Sequence, residues 1–222
     1  MKTFKIRCSQ IGEIMTNGRS KSEPLGNTCK TYVKKWMLEQ IYNRKIEITS
    51  KYMDKGSIVE DESIDFISAM IGIDGLIKNE KYYEDDFMTG TPDVLTADLL
   101  IEVKNSWDFS TFPYFMKESF NKDYYWQIQG YLNLTGLQKA MLVYTLQDTP
   151  IHLIHGECKR HCWNTGDDFD DVLPDFIKRM TYDDILPTDK IRTFEIERNQ
   201  EDIDKIIERV KECREYINQL TQ

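Results

Sequence analysis

The chain has 222 residues, 40% apolar and 30% charged, which suits one large domain or two small ones and excludes a wholly disordered or collagen-like protein. No apolar run approaches the ~20 residues that span a bilayer, and Met1–Lys5 carries no signal-peptide core, so no membrane association and a cytoplasmic location are expected. Net charge is −9, unevenly spread: residues 1–55 hold twelve Lys/Arg against five Asp/Glu, and residues 56–222 hold seventeen against thirty-three.

No repeat or Pro/Gly-rich linker divides the chain, so it reads as a single domain over 1–222: N-terminal helices (1–72), a core (73–146) and a C-terminal extension (147–222). Ser9 to Thr16 reads as a short helix, followed by a polar, mobile segment over 17–24. Thr28 is the expected cap of a helix to about Tyr42, with Val33, Trp36, Met37 and Ile41 at helical spacing. Thr49 or Ser50 is expected to open one longer helix to about Ile71. The pattern then shortens. Leu76–Tyr83, Phe87–Leu95 and Leu99–Lys104 read as an antiparallel meander, Lys122–Leu134 as a helix ended by Gly136, and Ala140–Leu146 as an apolar strand with Ile151–His155 as its partner. Asp167–Met180 is a helix interrupted by Pro174, and Ile191–Glu197 is a strand. Asn199 caps a closing helix whose stripe holds Ile203, Ile206, Val210 and Ile217. Helices, a central sheet and further helices predict an α/β or α+β fold. The basic N-terminal third offers either a cationic face for a polyanion or an ordinary solvated surface.

The most informative stretch is Gly90-Thr91-Pro92-Asp93-Val94 followed by Ile101-Glu102-Val103-Lys104. Alternate strand residues share a face, so Glu102 and Lys104 project together and Val103 points away. The turn between the two strands brings Asp93 alongside Glu102. Two carboxylates at a sheet edge are costly unless a cation joins them, and a hard divalent ion such as Mg²⁺ does so through oxygen ligands. A nearby ammonium orients a water or stabilises charge growing on a phosphoryl oxygen, so the set suits phosphodiester hydrolysis. The simpler alternative for Glu-x-Lys is a same-face salt bridge. Two flanking features favour the site. Glu60 can bring a third carboxylate to the metal's water shell. Tyr124, Gln127 and Tyr131 form one stripe of a helix, where Gln127 can hold the attacking water or a ligand carboxylate and Tyr124 can touch a phosphate.

These residues, in this order, resemble the motifs of the PD-(D/E)xK nuclease superfamily: Glu60, Thr91-Pro92-Asp93, Ile101-Glu102-Val103-Lys104 and Tyr124-Tyr125-Trp126-Gln127-Ile128-Gln129-Gly130-Tyr131. Within the superfamily they are most similar to the lambda-exonuclease-like (YqaJ-like) branch of phage recombination nucleases, whose opening arginine and serine resemble Arg7 and Ser9. The resemblance covers about residues 4–146. It implies a restriction-endonuclease-like core, a central mixed sheet flanked by helices. It implies Mg²⁺ (with Mn²⁺ substituting) held by Asp93, Glu102 and the Val103 carbonyl. Lys104 would position and activate the water, and Glu60 and Gln127 would support the second metal or the water network. Arg7 and Ser9 would meet a 5′ phosphate, Tyr124 would touch the scissile region, and Tyr131 would be among the DNA contacts. It further implies 5′-to-3′ degradation of double-stranded DNA ends, a homotrimeric ring and a single-strand annealing protein as partner. The acidic C-terminal half supplies few residues for a basic tunnel wall. Arg19 and Lys21 are candidates for backbone phosphates. A structure- or site-specific endonuclease of the same fold, and a non-catalytic DNA-end-binding protein, are the alternatives.

Five cysteines without framework spacing read as reduced thiols. Cys158-x₃-Cys162, with His152 and His155 near, invites a zinc reading but lacks a second cysteine pair. Cys8, Cys158, Cys162 and Cys213 match the number but not the spacing of a Cas4-type iron–sulfur site.

Overall fold

A computed structural model describes residues 2–20, 23–47, 49–116 and 120–221, with Arg19 and Ser20 described by their backbone alone. The chain opens with β1 (Ile6–Arg7), a 3₁₀ turn (Cys8–Gln10) and α1 (Ile11–Ile14). The segment read as mobile instead forms an antiparallel hairpin of β2 (Asn17–Ser20) and β3 (Glu23–Leu25). Next come α2 (Asn27–Tyr42), which starts one residue before Thr28 with Gly26 as its uncharged cap, and then α3 (Lys51–Ile58) and α4 (Glu60–Ile71). Ser50 caps α3 as expected, its hydroxyl accepting from the Met53 amide. The single long helix expected here is broken at Val59, whose φ of −95° and ψ of 8° leave the helical region.

The meander is also shorter than expected. Most of 76–83 is irregular: the Asn79 side chain accepts from the Lys81 amide and donates to the Lys81 and Pro92 carbonyls, and Asp85 then turns the chain into β5, its carboxylate accepting from the amides of Phe87 and Met88. What remains is β4 (Tyr83–Glu84), β5 (Met88–Gly90), β6 (Val94–Leu95) and β7 (Leu99–Asn105). β5 joins β1 and β4 in a small sheet, whereas β6 joins the main sheet, so Pro92-Asp93 lies at the crossing between the two. After α5 (Lys122–Thr135), which ends at Gly136 with φ 77°, comes β8 (Lys139–Thr145). Ile151–His155, expected as a strand, opens helix α6 (Ile151–Thr165); Pro150 at its N-cap forfeits no hydrogen bond there. Helix α7 (Phe169–Met180) tolerates Pro174, and β9 (Ile191–Glu197) and α8 (Gln200–Leu220) follow, the latter capped by Asn199.

The main sheet runs β6-β7-β8-β9, with β7 and β8 parallel and both edges antiparallel, and is therefore mixed. β7 and β8 are central and apolar on both faces. Leu100, Ala140 and Leu142 meet α5, α8 and α1 on one side; Ile101, Val103 and Val143 meet Ile64 and Ile67 of α4 on the other. Full burial of such a side chain contributes about 2 kcal/mol, so the sheet is the fixed element on which the site rests. The C-terminal extension is integral to this core, because β9 completes the sheet and α8 covers one face. Helices α6 and α7 form a third cluster against Trp107. Among the described residues no helix is long and apolar enough to cross a membrane.

Candidate active site

Glu102 and Lys104 lie on the α5 face of β7, where the pleat puts them side by side, and Lys104 Nζ sits 2.6 Å from Glu102 Oε1. Glu102 is a carboxylate only 1% exposed. Its Oε1 also accepts from Gln127 Nε2 at 2.6 Å, while Oε2 has no hydrogen-bond partner among the described residues. Asp93 reaches the same place from the β5–β6 connection: its Oδ2 accepts from the Val103 amide at 2.8 Å. That bond places Asp93 beside the strand carrying Glu102, as the turn between the strands predicts.

The electrostatics follow from burial. Desolvation, reinforced by the Glu102 carboxylate, pushes Asp93 up to about 8. Burial likewise raises Glu102, against the opposing pull of Lys104. Desolvation would lower the Lys104 ammonium, but the two carboxylates outweigh it and hold Lys104 above its ordinary range. The buried Glu102 and the half-buried Asp93 thus stand together beside Lys104, which pairs with Glu102.

A cavity of about 550 Å³ opens over this group and is lined by Glu60, Asp93, Glu102, Lys104, Asn105, Gln127 and Tyr124, with Tyr52, Trp107 and Tyr144 around it. Glu60 opens α4 at its rim, ion-paired with Lys78 at 2.8 Å. The Tyr124 ring lies under the Lys104 ammonium, 4.7 Å from its centroid. Tyr131, expected among the DNA contacts, is buried, and its hydroxyl lies 3.3 Å from Gln127 Nε2 rather than at the surface. The i, i+3, i+7 stripe is real, but its C-terminal member points into the core because α5 runs inward beneath the sheet.

Arg7 is not in this cavity. It lines a separate groove of about 440 Å³ with Gln10, Thr28, Thr31, Tyr32 and Lys35, between the N-terminal strand and α2. Ser9 is exposed and lines neither cavity; it lies next to Cys8, which is buried against Gly90 and Gly130. Arg19 lies on β2, and Lys21 falls outside the described residues.

The cysteines are free. Cys158 packs in the α6–α7 cluster, its Sγ 3.8 Å from the Phe169 carbonyl, and Cys162 lies against the same cluster. Cys213 meets Cys29 across α8 and α2, with the sulfurs 3.5 Å apart. Cys8 and Cys213 thus sit in a different core from Cys158, and no group of three or more His, Cys, Asp or Glu side chains gathers as a metal cage among the described residues. Cys158 and Cys162 therefore lie in one cluster, apart from the core that holds Cys8 and Cys213.

Sequence reading missed Lys78, Asn105, Trp107 and Tyr144 as lining or supporting residues. Asn105 and Trp107 follow Lys104 closely enough to have been suspected; Lys78 pairs with Glu60 through a loop that no periodicity marks.

A mixed sheet whose central strand presents Glu-x-Lys beside an Asp, with a helical Gln behind them, defines an α/β protein of exonuclease type. Comparison with solved structures agrees. The chain is similar to a phage-related exonuclease from Haemophilus somnus 129PT, with TM-score 0.80 and 26% identity over 99% of this chain and 96% of that one. It also has the fold of LHK-Exo, an alkaline exonuclease from Laribacter hongkongensis, with TM-score 0.65 and 16% identity over 98% and 93% of the two chains. No protein-family model and no curated protein matches the chain. The chain thus shares its fold with these exonuclease structures, in keeping with the family its motifs resemble.

Proposed function

We propose that the chain is a Mg²⁺-dependent DNA exonuclease that hydrolyses phosphodiester bonds at the ends of linear double-stranded DNA, in the 5′-to-3′ direction. The observation that carries this reading is Glu102: a buried carboxylate with one oxygen unpaired among the described residues, beside the half-buried Asp93 and the Lys104 ammonium. An unpaired carboxylate oxygen in the interior is costly, and a cation bound between Asp93 and Glu102 relieves that cost. The donor set fits Mg²⁺, or Mn²⁺ in its place. Asp93 and Glu102 would supply carboxylate oxygens and Val103 its main-chain carbonyl, the rest of the shell being water. The ion when bound supplies Lewis-acid polarisation of the phosphoryl oxygen and offsets its developing charge.

The remaining roles belong to the chain. Gln127 fixes the Glu102 oxygen that Lys104 also contacts. Lys104, kept protonated by its two acidic neighbours, orients the water and stabilises negative charge on the reacting phosphate. Tyr124 lies beneath that ammonium at the mouth of the cavity, where a phosphate would approach. Glu60, braced by Lys78, faces the water network from the opposite wall. The groove holding Arg7 and Lys35 offers cations and hydroxyls to a terminal 5′ phosphate, and Ser9, two residues after Arg7, would approach the same phosphate. Arg19 and Lys21 would meet the duplex backbone. A homotrimeric ring and an annealing-protein partner are carried over from the resemblance and are tested by light scattering and by co-purification.

Digestion of end-labelled linear duplex with Mg²⁺, alongside covalently closed circles, tests the reading. Release of 5′-terminal mononucleotides from the linear form alone is expected. Cutting of circles would favour the endonuclease, and binding without cleavage the end-binding protein.

A further inference from the structure

The break between α3 and α4 is what turns Glu60 toward the cavity, and one side chain reaches across it. Asn105 is the last residue of β7, next to Lys104 but on the opposite, α4-facing side of the sheet. Its Nδ2 donates to the Gly56 carbonyl of α3 at 3.4 Å. Its Oδ1 accepts from Thr145 Oγ1 of β8 at 2.5 Å and lies 2.6 Å from Ser63 Oγ of α4. The Ser63 hydroxyl is also 2.7 Å from the Val59 carbonyl at the break itself, so one proton serves both oxygens. Ser63 and Thr145 are fully buried.

A single amide therefore holds the end of α3, the first turn of α4 and two neighbouring strands. The chemistry demands an amide. The Gly56 carbonyl needs a donor, and the Thr145 and Ser63 hydroxyls need an acceptor. Asp supplies no donor and adds a fourth acid to Glu60, Asp93 and Glu102; Leu supplies neither group. A helix broken in mid-course leaves backbone groups without partners, and a buried network of this kind is retained only when its members satisfy one another. Glu60 follows Val59 directly and lines the same cavity as Asp93 and Glu102.

We infer that Asn105 is a positioning residue: by holding the α3–α4 break it sets where Glu60 stands against the Asp93–Glu102 pair. Asn105 acts through Glu60 and not on the substrate. The inference rests on the reading of the cavity as a metal-dependent nuclease site.

The test is a double-mutant cycle of Asn105→Ala and Glu60→Gln with two readouts: Mn²⁺ affinity by titration calorimetry without DNA, and cleavage rate against Mg²⁺ concentration. Each single variant is expected to weaken Mn²⁺ binding and raise the half-saturating Mg²⁺ by about tenfold, the scale of losing a supporting partner. The double variant is expected to be no worse than the poorer single. Multiplying losses, or unchanged metal binding with only a lower melting temperature, would overturn the inference. If Asn105→Ala fails to fold, Thr145→Val and Ser63→Ala each remove one donor to the amide and carry the same cycle. A wild-type protein that neither binds Mn²⁺ nor cleaves would overturn the reading of the cavity itself, a result distinct from additive variants of an active enzyme.

Discussion

The ammonium of Lys104 lies 2.6 Å from Glu102 Oε1, and the same oxygen receives the Gln127 amide at 2.6 Å, so one carboxylate oxygen is doubly held while the other has no partner among the described residues. The pairing leaves Glu102 oriented but not neutralised. Lys104→Ala should lower cleavage of linear duplex by ~10²–10⁴-fold, the usual weight of a group that handles protons or developing charge. Glu102→Gln should lower it at least as far. Duplex affinity, measured by anisotropy, should stay within about threefold for both, since these side chains serve the reaction rather than the grip. Retained cleavage by either variant would remove the pair from the reaction.

Arg7 and Lys35 supply the two cations of the N-terminal groove. Arg7→Ala is expected to abolish any preference for 5′-phosphorylated over 5′-hydroxyl ends while leaving the rate on hydroxyl ends nearly unchanged. An unaltered ratio of the two rates would detach this groove from the terminal phosphate.

Lys55 is fully buried and donates to the carbonyls of Trp107 (2.9 Å) and Gln147 (2.7 Å), tying α3 to the loops that follow β7 and β8. Burial lowers its pKa from 10.5 to about 8. The unfolded chain therefore binds the proton more tightly than the native one between those values, and stability attributable to this group rises with pH through that window. By pH 9.5 the gain over pH 7.5 should be about 2 kcal/mol. Urea unfolding midpoints of wild type should climb relative to Lys55→Met over this interval. Parallel pH profiles for the two proteins would show that Lys55 titrates normally.

Gly90 lets the Tyr131 ring lie against β5: a Cβ there would stand 2.6 Å from Tyr131 Cε1 and 3.3 Å from Cys8 Cβ. An aromatic ring cannot fold aside, and Cys8 behind it is fully buried. Gly90→Ala should cost about 1–3 kcal/mol of stability by overpacking and should also slow cleavage, because the displaced Tyr131 hydroxyl supports Gln127. Thermal melts and initial rates on the same preparation check both. Unchanged stability would mean that the ring has room to shift.

The sequence was most legible where one periodicity is sustained. The stripe of Ile203, Ile206, Val210 and Ile217 is a full-length helix capped by Asn199, and Glu-x-Lys in an apolar run makes a shared strand face a matter of pleat geometry. It was least legible where two short elements meet. Ile151–His155 has a strand's composition but lies in a helix because it packs with Phe176 and Met180, residues more than twenty positions away. The break at Val59 leaves no mark in the apolar pattern, which continues across it; what holds it is Asn105, from a strand more than forty residues on.

From residue order alone came the mixed α/β class, the Asp93–Glu102–Lys104 set and the helical Gln127 behind it, since these depend on strand alternation, helical spacing and the chemistry of local neighbours. Only the tertiary structure decided that Tyr131 is buried, that Arg7 occupies its own groove, that the thiols are scattered, that Glu60 pairs with Lys78, and that Asn105 bonds to both sides of the α3–α4 break. Those outcomes depend on which distant surfaces exclude water together, and that is a property of the packed chain rather than of any segment of it.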